Sequence, residues 1–168
     1  MYFSATISRA LSNPTWDVVL ILAMLAIGFF YGIYRGKKRI AATIIYTYVA
    51  LAIYSVLPFE KITKFFSGTN EYFVKIGIFL ILFILLSLLL GTKKGRGFRS
   101  GGSWWQIFLL SFVQIGFLVH LFFSFLPTEQ VASLAPLTKN FFANSNYHLW
   151  WMAGPIIIVI LLRRIDRG

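Results

Sequence analysis

The chain has 168 residues, 58% of them hydrophobic and 18% aromatic, with a formal net charge of +11. Only 12% are charged, about half the ~25% of an ordinary soluble domain, which is too little polar surface to cover a soluble globule. Apolar windows of membrane-crossing length recur instead, with the cations at their ends rather than in an aromatic-interleaved groove, so the reading is an all-α integral membrane protein that does not bind nucleic acid.

In chain order, residues 1–15 form an outer N-terminal segment of a single membrane domain, 1–168. That segment has one cation and no separate apolar core, so it is not expected to be a cleavable signal peptide. The first span is expected over 16–34, with Asn13 or Thr15 as cap and Pro14 suited to a first turn. It stops at Arg35, Lys37, Lys38 and Arg39, four cations in five residues. The second span, 40–57, ends at Pro58; the third covers 72–91; the fourth, 103–126, ends at Pro127. A fifth, 147–162, is short and contains Gly154-Pro155. Residues 58–71 and 127–146 are outer segments.

Sorting the cations by span end fixes an expected orientation. Eleven share one side: the four just named, then Lys93, Lys94, Arg96 and Arg99, then Arg163, Arg164 and Arg167. The other side holds five, Arg9, Lys61, Lys64, Lys75 and Lys139, with the acids Asp17, Glu60, Glu71 and Glu129. Short loops with such a bias place the side of eleven in the cytoplasm, so the N-terminus is outside and the C-terminus inside. Trp104 and Trp105 would mark the inner interface, and Trp16, Trp150 and Trp151 the outer one. Cysteines at Ser100 and Ser145 should therefore respond oppositely to an impermeant thiol reagent added to intact cells: Ser145→Cys labels and Ser100→Cys does not. The reverse pattern would invert the topology.

Both outer segments begin alike, "LPFEKI" from Leu57 and "LPTEQV" from Leu126, and end alike, "FFSGTNEY" from Phe65 and "FFANSNY" from Phe141. Each follows a pair of spans joined by a cation-rich turn. The order reads as two hairpins in a parallel internal repeat, with a pseudo-twofold axis along the membrane normal. Apolar stripes at Phe59, Ile62 and Phe66, and at Val131 and Leu134, suit segments that lie in the outer interface or re-enter the bilayer.

Gly28, Gly32 and Gly36 are spaced by four along one face of the first span, which lets another backbone approach closely. Packing within the chain, against the second span, is the simpler account; an oligomer interface is the alternative, and Gly36 also suits a helix end. Gln114 and His120, with Ser124 one turn beyond the histidine, are candidate intramembrane polar residues for a ligand or a proton relay, although Gln114 lies about a third of a turn from His120 around the helix, so the two do not form one obvious site. The plainer account of His120 is a neutral ring donating to a carbonyl. Thr43, Thr47 and Tyr54 along the second span suit hydrogen bonds between helices. Lys93, Lys94, Arg96 and Arg99 are candidate contacts for anionic lipid head groups, although topology alone accounts for their charge. No cysteine is present, and no catalytic or metal-ligand spacing is found, so neither an enzyme nor a bound cofactor or metal is expected.

The stretch from Trp16 to Pro58 resembles the start of the colicin V production protein family. The pattern is an acid heading the first span (Asp17), a glycine-and-cation turn (Gly32, Arg35, Gly36) and a second span rich in small residues. Residues 16–129 would correspond to that family's four-span core, and the fifth span, ending "RRIDRG", lies beyond it. The resemblance implies a small bacterial inner-membrane protein that assists secretion or envelope homeostasis, with a small channel or transporter as one form of that role. The alternative is a transmembrane scaffold subunit, a partner within a homo-oligomer or larger membrane complex.

Overall fold

A computed structural model describes residues 15–66, 68–91 and 103–165 of the chain, and no strand occurs among them. The long helices are α1 (Trp16–Arg35), α2 (Lys37–Ser55), α4 (Glu71–Leu89), α5 (Trp104–Phe125) and α8 (His148–Ile165). Short helices α3 (Phe59–Phe65), α6 (Thr128–Ala132) and α7 (Pro136–Phe142) fill the outer segments, with a 3₁₀ turn at Ser145–Tyr147. By length and apolarity α1, α4, α5 and the stretch Pro136–Ile165 that contains α8 can each cross a membrane; α2 reaches that standard only together with α3, across a bend of 86°. The protein is thus an all-α membrane protein of four or five spans. Its many exposed large apolar residues, such as Ile27, Phe30, Ile81, Leu88 and Ile160, are where lipid would cover them.

The first turn is tighter than expected. A single residue, Gly36, separates α1 from α2, and its φ of 79° lies in the left-handed region that favours glycine. Its N–H closes α1 by donating to Gly32 O at 2.7 Å. Lys37, Lys38 and Arg39 are therefore not loop residues, as the expected start at Ile40 implied, but the first turn of α2. Cations at a helix N-terminus oppose the macrodipole, so pattern alone pointed to a loop. At the other end of α2, Pro58 has no N–H to extend the ladder, and the chain turns into α3.

The central helix is α5, whose apolar window is 56% buried, against 22% for α1 and 11% for α4. It packs chiefly on α1, α8 and α2, while α2 also packs on α4. Ile40 and Ile44 of α2 meet Ile107 and Leu110 of α5 and Leu162 of α8. Nearer the end that carries α3 and α7, Ala50, Phe79, Phe117 and Leu121 form an apolar layer, and Phe117 stacks on Tyr48 with centroids 4.8 Å apart. The two hairpins run with like polarity, as the repeated order requires. α1 packs mainly on α5 and α4 mainly on α2; both line one cleft beside the α2–α5 pair, and α8 covers another face.

Candidate functional site

The cleft begins with the glycines of α1. A Cβ at Gly28 would stand 2.6 Å from Ile115 Cγ1, and one at Gly32 would stand 2.6 Å from both Ile40 Cδ1 and Ser111 Oγ. The ladder is thus buried within the chain, mainly against the fourth span rather than the second. The correction has a simple cause: Gly36 turns α2 so sharply that α1 can lean onto α5. Beyond this seam α1 and α4 diverge, leaving a cavity of about 350 Å³ bounded by Gly28 and Tyr31, Thr43, Ser87, Ser111 and Gln114, with Arg39 at its cation-side end.

Most of the wall is apolar, yet Ser87 Oγ, Ser111 Oγ and Gln114 Oε1 are buried there without a hydrogen-bond partner among the described residues. Gln114 Nε2 donates to Thr47 Oγ1 at 3.0 Å, and the Thr47 hydroxyl in turn donates to Thr43 O at 2.9 Å. That chain leaves Gln114 Oε1 as an acceptor without a donor, and Ser87 Oγ and Ser111 Oγ are likewise unmatched. Ser111 and Gln114 are only 3% and 6% exposed, so bulk water does not serve them. An unmade bond at a buried polar group costs about 1–3 kcal/mol. These atoms sit behind a mostly apolar lining, with almost no surface of their own, so a guest would reach them only where the wall gives way.

His120 is elsewhere. Its ring is 3% exposed and holds the outer segments: Nδ1 lies 2.6 Å from Phe142 O, and Nε2 lies 2.8 Å from His148 Nδ1. A carbonyl only accepts, so Nδ1 carries the proton. In the neutral ring Nε2 then accepts from His148, which bears its own proton on Nδ1. Ser124 turns to its own helix and donates to Leu121 O at 2.7 Å. Gln114, His120 and Ser124 therefore do not assemble into one site. His120 bonds a carbonyl, the plainer of its two expected roles, and through Phe142 and His148 it anchors the loop. Trp151 joins that anchor and is no free interface marker: its indole donates to Phe141 O at 2.7 Å and its ring stacks on Phe142.

Two roles were not foreseen. Asp17 is 1% exposed, and its Oδ2 accepts the Ala135 N–H at 3.0 Å. It ties the head of α1 to the start of α7, where Thr138 lies beside it. The signal was present, since Ala135 precedes Pro136 and so heads a helix whose first amides need an acceptor. The Tyr48 hydroxyl donates to Met152 O, in the turn of α8 that Pro155 interrupts. Lys93, Lys94, Arg96 and Arg99 lie outside the described residues. Comparison with protein-family models, with curated proteins and with solved structures finds no match, so what this chain can do has to be argued from the cleft itself.

Proposed function

We propose that the chain is a non-enzymatic protein of the bacterial inner membrane that holds an amphipathic molecule in the cleft between α1 and α4, in the service of secretion or envelope homeostasis. The observation that carries this reading is the set of unpaired polar atoms, Ser87 Oγ, Ser111 Oγ and Gln114 Oε1, around a mostly apolar cavity. A scaffold subunit has no use for them. The resemblance of the first hairpin to the colicin V production family supports the cellular setting, and the cation bias supports a cytoplasmic position for the Arg39 end. The apolar layer of Phe79, Phe117 and Leu121 supports binding over an open channel.

Native mass spectrometry of gently extracted protein tests the proposal. Wild type should retain a bound non-protein mass that Gln114→Leu and Ser111→Ala release. The ligand-free variants should also melt no lower than ligand-free wild type, because each removes an unmatched buried group. Two results would end the ligand reading: wild type that carries no such mass, or variants that retain it fully.

A further inference from the structure

A second cavity lies on a different side of α2. Residues Arg39, Ile40 and Thr43 face the cleft, whereas Lys37, Lys38, Ala41, Ala42 and Ile45 line a groove of about 340 Å³ shared with α5 and α8. We propose that this groove binds an anionic phospholipid of the leaflet on the cation-rich side. Its phosphate would rest on Lys38 and Arg163, and one acyl chain would run along Ala41, Ala42 and Ile45.

Charge and shape agree on this occupant. Lys37, Lys38 and Arg163 converge at one end of the groove, and no acidic side chain among the described residues lines it. The acids among the described residues, Asp17, Glu60, Glu71 and Glu129, all belong to the opposite end of the helices. Lys38 and Arg163 are exposed, while Lys37 is 9% exposed and donates to Gln106 Oε1 at 3.0 Å. Lys37 therefore braces the mouth, and the two exposed cations can reach a phosphate. Above them the walls are apolar, with Leu110 and Leu162 buried and two alanines keeping the space open. From Lys37 to Ile45 the helix rises roughly 12 Å, a useful length of acyl chain. A free phosphate would use only the mouth; a zwitterionic lipid would gain little from the cations. Basic pockets between spans on the cytoplasmic side hold anionic head groups by this combination.

The purified full chain, titrated in detergent with phosphatidylglycerol or phosphatidylcholine of matched chains and read by native mass spectrometry, tests the site. Wild type should hold one phosphatidylglycerol in preference to phosphatidylcholine. The double variant Lys38→Gln, Arg163→Gln should bind it about 30-fold more weakly, as loss of two near-surface cations implies, and should no longer distinguish the two lipids. Ala42→Leu keeps the charges but fills the groove, and should also weaken binding several-fold. Lys61→Gln with Lys64→Gln, at the other end of the molecule, should change nothing. Equal binding of both lipids by wild type, preference surviving in the double variant, full binding by Ala42→Leu, or displacement by millimolar inorganic phosphate would each overturn the proposal.

Discussion

Replacing Gly32 by leucine is expected to lower the amount of protein in the membrane several-fold, whereas Ile33→Leu should leave it unchanged. Lipid is as apolar as the helix surface, so helices associate by close packing rather than by the hydrophobic effect. At Gly32 even a single Cβ would stand 2.6 Å from Ile40 Cδ1 and from Ser111 Oγ, and 2.9 Å from Ile107 Cγ2. These neighbours come from two helices, so no one rotamer change relieves the contact. Overpacking costs ~1–3 kcal/mol or somewhat more, and a loss of 1–2 kcal/mol is enough to shift abundance several-fold. Ile33 is adjacent but 38% exposed, so the same residue type there meets lipid. Quantitative immunoblotting of membranes decides the matter, and equal abundance of the two variants would remove the packing account of the ladder.

Gly116→Ala should be the most damaging single-methyl change in the fourth span. A Cβ at Gly116 would run into the six-membered ring of Trp151. That ring cannot swing aside cheaply: its N–H is committed to Phe141 O, and it stacks on Phe142 at 5.1 Å. Moving it would loosen the outer end of α8, along with the loop that His120 holds through Phe142 O. The expected loss is ~1–3 kcal/mol, read as a lower melting temperature in detergent. Gly154→Ala is the matched control, since a Cβ there would meet nothing within 4 Å. If both variants melt alike, the docking of Trp151 on Gly116 does not contribute to stability.

Much of the architecture is legible in the sequence because hydropathy reports the length of a span directly. The five expected spans coincide with α1, α2, α4, α5 and α8 to within a few residues. What hydropathy does not report is which span is central. The mean hydropathy of α1 and α5 is 2.1 in both cases, although one is peripheral and the other the hub. The better clue is polarity, since α5 buries four polar side chains, Gln106, Ser111, Gln114 and His120, more than any other long helix, and lipid cannot serve them. Of the candidate site, Gln114 stands out by residue type. Ser87 and Ser111 do not, because a serine in a span normally bonds its own backbone, and only the structure shows these two without such a bond. The helical spacing already separates His120 from Gln114, but that His120 meets Phe142 O and His148 depends on where α7 and α8 dock.

The position of α5 also orders how the protein is made. The glycine face of α1 emerges about 80 residues before the Ser111 region on which it closes, a delay of roughly 4 to 16 s at ordinary elongation rates. Until then the glycine face has only Ile40 of its own hairpin to pack against. Assembly of the bundle therefore waits on the fourth span, and a nascent chain interrupted before Trp104 would present an unfilled seam to the insertion machinery and to membrane proteases.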